Sequence, residues 1–506
     1  MLLPTHSAFL RHQATRRGDR GGLIWRDRTF SFAVLAAAAE RLGNWLARCG
    51  LGRGDHLLIV MGNEPALIVA KYGCWHVGAV AVPANIRSTQ AELEQLIGQA
   101  RARMVLCDPQ SADLVRAAAR SCAIAAGCLA EDLAGSARLI VRGKARPAKP
   151  PRVPVAEDLA VVAFTSGTTG KPKGVMLTHA NLMWSSLACS GARGDLQDGV
   201  GACLSPLSHT PVFVSHLLCR LLLGQTAVLL EKLEVPAVLE ASERHGITDL
   251  PLIAGMVFNF VAHGEIPERK RRTIRKVSIG GAPTPMTTKH QLGELFPGAE
   301  IIEAYGQSES TDGVTMARGR SVFERPGTVG TVNPHVAVRI RRGTRGFAAT
   351  GEEGEIIIGG PTVMRGYYRD PSATAAQLQQ GWLHTGDLGR FDEDGYLYIT
   401  GRVKDLIISG GENISPTEVE EALRHHPLIA DIAVIGTPHP RWGEQVTAIV
   451  VRRSAALDAE AVITFAGERL SPFKRPRRIE FVDSLPRNSA NKVETARLKQ
   501  QFGKES

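Results

Sequence analysis

The segment FAVLAAAAERLGNWLARCG, Phe32 to Gly50, repeats apolar residues every three to four positions and stops at a glycine, the pattern of an amphipathic helix and its terminator. GDHLLIVM follows as an apolar run that reads as a buried strand, and AELEQLIGQA and ARMVLC repeat the alternation. Helices alternating with buried strands predict parallel sheets covered by helices, an α/β fold. RPAKPPRVPVAED, Arg146 to Asp158, is proline-rich and reads as a connector, after which LAVVAF, Leu159 to Phe164, is the next strand. Similar segments continue to about residue 400, among them EIIIGG and the Asp-Gly hairpin signal in RFDEDGYLYITGR.

Beyond Arg402 the texture changes. Ser415, Pro416 and Glu418 have the spacing of an N-cap, a first helical proline and a capping box. IAVIG, VTAIVV, DAEAVITFAGERL and RRIEFV then complete a small α+β unit. The expected organisation is a large N-terminal domain of packed sheets and helices over 1–401, followed by a small α+β domain over 402–506. A chain of 506 residues fits this division, because single cores stop growing at about 250–300 residues. There is no internal repeat and no low-complexity tract.

The net charge of +10 favours anionic partners. Its densest pieces, ERKRRTIRK (Glu268–Lys276) and FKRPRR (Phe473–Arg478), lack the interleaved aromatics of a single-strand nucleic-acid groove, so no nucleic-acid partner is expected. The eight cysteines include no CxxC pair and no cluster at zinc-site spacing, which fits reduced thiols in the cytoplasm. The N-terminus has no signal-peptide core, and the apolar stretch Val212–Leu230 carries His216 and Arg220, so neither export nor a membrane span is expected.

Strand LAVVAF feeds TSGTTGKPKG, Thr165 to Gly174. Its flexible backbone N–H groups and hydroxyls can wrap phosphate oxygens, with Lys171 and Lys173 supplying charge. It is not a Walker A loop, since Thr165 stands where that pattern needs glycine and Pro172 where it needs serine or threonine. Further blocks follow: SIGGAPTP (Ser278–Pro285), EAYGQSE (Glu303–Glu309), HTGDLG (His384–Gly389), GRVKDLIISGGENISPTEVE (Gly401–Glu420) and LPRNSANKVE (Leu485–Glu494). In this order the sequence resembles the adenylate-forming, AMP-binding superfamily, and within it the AMP-forming fatty-acid and benzoate-type acyl-CoA ligases.

The resemblance implies an acid–thiol ligase that uses ATP, Mg²⁺ and CoA. A carboxylate and ATP give acyl-AMP and pyrophosphate, and the CoA thiol then displaces AMP. It implies that Thr165, Ser166, Gly167, Thr168, Thr169, Gly170, Lys171 and Lys173 cradle the β- and γ-phosphates, with Thr165 and Glu309 on Mg²⁺. Gly281, Ala282 and Pro283 would approach the adenine, as would Glu303, Ala304, Tyr305 and Gly306, with Tyr305 stacking. Asp387 would accept from the ribose hydroxyls, and Arg402 would lie near ribose and phosphate. Lys492 would contact the carboxylate and α-phosphate; Asn491 precedes it where glycine is commoner, as in the benzoate-type subgroup. Lys404 falls at the hinge about which the small domain rotates. Gly410 and Gly411 would line the thiol tunnel, and Arg87, Trp442, Phe473 and Arg475 would hold the CoA nucleotide.

Relatives line the acyl pocket from Pro206–His216, Pro251–Phe258 and the segment after YGQSE. His209 would stand near the acyl carbonyl, and these apolar linings suit an aliphatic or aromatic monocarboxylic acid. The alternative is a stand-alone adenylation enzyme loading an acyl carrier protein. A serine hydrolase would use GQSES, Gly306 to Ser310, but Ser310 replaces the last glycine of that motif. A catalytically silent nucleotide binder would not need Glu309, Asp387, Arg402 and Lys492 together. A homodimer is compatible with the sequence, which does not specify oligomeric state.

Overall fold

The computed structural model describes residues 5–26, 28–129, 137–143, 153–165, 172–195, 198–231, 234–281, 284–343, 346–409, 412–487 and 493–503. The chain divides into two compact units, residues 1–338 with 358–383, and residues 339–357 with 384–506.

In the first unit the predicted alternation is realised. Ser31 caps helix Phe32–Arg48 by accepting from the Val34 N–H, and Leu35, Ala38, Ala39, Leu42 and Leu46 form the buried face. Strand His56–Val60 is buried throughout and pairs in parallel with Val80–Ala84 and Met104–Cys107. A strand covered on both faces has no polar side to display, which is why it reads as an unbroken apolar run. These strands belong to an eight-stranded sheet that also holds Leu159–Thr165, Lys173–Thr178 and the short strand Gly366–Tyr367.

In a second sheet, three strands of the first unit, Asp249–Ile253, Lys276–Gly280 and Glu300–Gln307, run parallel. The first two end level with each other at Ile253 and Gly280, with Ala304 of the third strand opposite Gly280, so the carboxyl-end side of the sheet, where ligands bind in open α/β sheets, lies there. The core beside them includes Leu250, Leu252, Val277, Ile279 and Phe260.

In the second unit, Gly443–Arg452 pairs with Ile429–His439 antiparallel and with Arg478–Val482 parallel, over a core that includes Ile407, Val419, Leu423, Val446 and Val462. The hairpin signal is also realised: Asp387 to Phe391 pairs with Leu397–Arg402 across a turn in which Gly395 has φ 79°.

The expected capping box at Ser415 does not form. The serine hydroxyl donates to the Thr400 carbonyl, and the Glu418 carboxylate pairs with Lys474. Both side chains satisfy tertiary partners in place of the helix end. Among the described residues no helix is long and apolar enough to cross a membrane. The apolar stretch after Val212 breaks into π-helix Phe213–Leu218, helix Cys219–Leu223 and strand Thr226–Leu229.

Candidate active site

In the first unit, strands Leu159–Thr165 and Lys173–Thr178 are antiparallel, with Thr165 opposite Lys173. This register brings together the two ends of the glycine-threonine loop; Ser166, Gly167, Thr168, Thr169, Gly170 and Lys171 lie outside the described residues. Strand Gly366–Tyr367 adds to the same ladder, with Tyr367 opposite Val175. The Lys173 Nζ sits 5.1 Å from the Tyr367 ring centroid, and the Tyr367 hydroxyl donates to Glu309 Oε1 at 2.9 Å. Met364 N–H donates to the Glu309 carbonyl at 2.8 Å. Tyr367 thus links Lys173, which stands opposite Thr165 in the ladder, to the sequence-distant Glu309. Burial, and then the Glu309 charge, raises the Tyr367 pKa, which keeps the phenol a donor.

The backbone before Glu309 turns sharply. A Cβ on Gly306 would lie 2.3 Å from the Asp312 carbonyl oxygen, so only glycine fits there. The register shifts between Tyr305 and Gly306, and Ser308–Ser310 forms a 3₁₀ turn. Thr311 and Asp312 then take positive φ, 60° and 101°, unusual for residues with a side chain. Tyr305 is half-buried, next to the parallel pair Gly280 and Ala304. Gly281 has φ 87° at the strand end, and Ala282 and Pro283 lie outside the described residues. The Glu303 carboxylate is buried against Lys289, so its backbone alone is left for a nucleotide. His209 is exposed, and its carbonyl accepts from the Phe213 N–H at 3.0 Å. Arg87 is exposed.

In the second unit, Asp387 and Arg402 stand opposite each other in the hairpin, with Arg402 Nε 3.0 Å from Asp387 Oδ1. The carboxylate is buried and the guanidinium about half exposed. Lys404 lies in the 3₁₀ turn Val403–Asp405, where partial burial lowers its pKa against the opposing charge of Asp405. Gly410, Gly411 and Lys492 lie outside the described residues.

Trp442 stacks on His439 at 4.2 Å and 17°, and the Arg477 guanidinium lies 3.7 Å from its ring centroid. Phe473 is partly exposed. Arg475 instead donates to the Leu470 and Gly467 carbonyls, both at 2.9 Å, satisfying the end of helix Ala459–Gly467. Arg477 and Tyr367 were not singled out from sequence. Their signals were the basic run FKRPRR, in which Arg475 and Arg477 look alike, and the dipeptide Tyr367-Tyr368, which carries no periodicity.

This chain is 34% identical to a feruloyl-CoA synthase of an Amycolatopsis species over 94% of each chain. It is 31% identical to a long-chain-fatty-acid–CoA ligase of Bacillus subtilis, over 98% of this chain and 94% of that one. Among solved structures it resembles ATP-bound MatB from Rhodopseudomonas palustris, with a TM-score of 0.87 and 29% identity over 99% of both chains. It also resembles o-succinylbenzoate CoA synthetase (MenE) from Bacillus subtilis in complex with the acyl-adenylate intermediate OSB-AMP, with a TM-score of 0.85 and 29% identity over 99% of this chain and 98% of that one. The AMP-binding enzyme C-terminal domain matches residues 418–492. The AMP-binding enzyme model matches residues 10–368, well over half of the sequence, and the chain belongs to that family.

Proposed function

We infer that the protein is an ATP-dependent, AMP-forming carboxylate–CoA ligase. A carboxylate oxygen attacks the α-phosphorus of ATP and pyrophosphate leaves; the CoA sulfur then attacks the acyl carbon and AMP leaves. The observation that carries this reading is the cluster of Thr165, Lys173, Tyr367 and Glu309 at the two ends of the glycine-threonine loop. Glycine and threonine residues in such a motif can offer N–H groups and hydroxyls to phosphates, while the Tyr367 hydroxyl orients the one carboxylate of the cluster, that of Glu309.

Thr165 and Glu309 are hard oxygen donors, and Mg²⁺ is typically held by one or two carboxylates together with substrate phosphates, so the residues present fit that ion. When bound it would neutralise phosphate charge. Lys173 supports the same phosphates by charge, Tyr305 the adenine, Asp387 the ribose hydroxyls and Arg402 the ribose and phosphate. Tyr367 orients Glu309. For CoA, the proposed contacts are Arg87, Gly410, Gly411, Trp442 and Phe473, with Arg475 acting through the turn it braces. The proposed boundary at 401/402 and hinge at Lys404 concern motion between half-reactions.

The acid is proposed to be an aromatic or aliphatic monocarboxylate, a reading supported by relatives named for feruloyl and long-chain fatty acyl thioesters. A cytoplasmic homodimer belongs to the same proposal, which cell fractionation and sedimentation would test. A pyrophosphate-release screen over aryl and fatty acids, with and without CoA, tests the function; no ATP-to-AMP conversion by any acid would refute it. Tyr367→Phe is expected to lower adenylation by about tenfold, the scale of one lost hydrogen bond to a charged group. A steady-state assay finding no change would remove Tyr367 from the site.

A further inference from the structure

Lys71 lies in helix Pro65–His76 with no exposed surface. Its Nζ donates to the Leu207 carbonyl at 2.9 Å and sits 3.3 Å from the Phe213 ring centroid. No carboxylate pairs with it among the described residues, and burial lowers its pKa well below the ordinary lysine range. An amine buried without a counter-ion is destabilising, and an apolar side chain of similar length would serve the fold better. Stability does not account for a lysine here.

Its two partners do, because Leu207 and Phe213 flank His209 on the stretch Pro206–His216. Other polar side chains hold the same stretch by its backbone. The Asn63 amide donates to the Ser205 carbonyl at 2.9 Å and accepts from the Leu207 N–H at 2.8 Å. Arg193 Nη1 donates to the Ser215 carbonyl at 2.8 Å, and Arg220 Nε to the His216 carbonyl at 3.0 Å; both arginines are buried. Ser215 and His216 lie within π-helix Phe213–Leu218, a geometry that recurs at functional sites. Donors aimed at backbone atoms fix where a segment lies while leaving its side chains free to face something else.

We propose that Lys71 is a positioning residue for acid binding, its buried amine holding the Leu207–Phe213 segment, and with it His209, in place as a wall of the acyl site. The inference rests on the ligase reading and on the assignment of this stretch to the acyl pocket.

Lys71→Met tests it in the full-length protein, with an acid taken from the pyrophosphate-release screen. The melting temperature is expected to hold or rise, while KM for the acid rises about fivefold, the scale of one lost hydrogen bond. KM for ATP is expected to stay unchanged, and amide exchange over residues 205–216 to quicken. Lys71→Gln, which keeps an N–H donor, is expected to recover most of the acid KM. An unchanged acid KM in Lys71→Met overturns the proposal. So does failure to fold, or a fall in melting temperature with both KM values rising together, since these mark a packing role. If no acid releases pyrophosphate with the wild-type protein, the ligase reading falls first; unaltered exchange over 205–216 would then separately deny that Lys71 holds the segment.

Discussion

Glu309→Gln is expected to lower adenylation by about 10²- to 10³-fold, the range seen when one preorganised electrostatic contact to a transition state is removed. The melting temperature should not change. Glutamine keeps the shape of the side chain and an oxygen that can accept from the Tyr367 hydroxyl, now 2.9 Å from Glu309 Oε1. What is lost is one negative charge on a half-buried side chain. In the proposed reaction that charge is a hard donor to Mg²⁺, for which a neutral amide oxygen is a weaker ligand. The loss should therefore appear as a rightward shift of the Mg²⁺ titration of pyrophosphate release, with partial recovery at high magnesium. Wild-type activity at limiting magnesium would remove Glu309 from the metal role. Tyr367→Phe should move the same titration less, because it loosens the carboxylate without discharging it.

What could be read from the sequence was local. The apolar runs of the first unit became buried parallel strands, since a strand covered on both faces leaves an uninterrupted apolar record, as His56–Val60 does. The Asp-Gly turn before Tyr396 was legible because only certain residues tolerate its backbone. Contacts between distant positions left no such record. Tyr367 meets Glu309 across 58 residues, and Lys71 meets Leu207 across 136. Periodicity is silent about both. Ser415 and Glu418 have capping-box spacing, yet the Thr400 carbonyl and Lys474 take their side chains, because tertiary partners compete for the same groups. Arg475 and Arg477 are chemically identical in the run FKRPRR. Only the fold sends one to the carbonyls ending helix Ala459–Gly467 and the other over Trp442. Glu303 shows the same limit, since its pairing with Lys289 commits a carboxylate that the motif alone leaves open.

Lys492→Ala separates the two half-reactions. Adenylation is expected to fall by about 10²- to 10³-fold, while thioester formation from supplied acyl-AMP and CoA should proceed at the wild-type rate. The reasoning follows the charge. When a carboxylate attacks the α-phosphorus, two anions must meet, and a cation placed on both lowers that barrier without adding to the later attack of a thiol on a neutral acyl carbon. Alanine removes the cation and leaves the backbone of the motif in place. The outcome also differs from that of Glu309→Gln: the magnesium titration midpoint should stay put and only the plateau should drop. Equal losses in both steps would mean that Lys492 serves the fold or both chemistries alike. The proposed rotation about Lys404, whose purpose is to exchange one set of groups for another between steps, would then lose its reason.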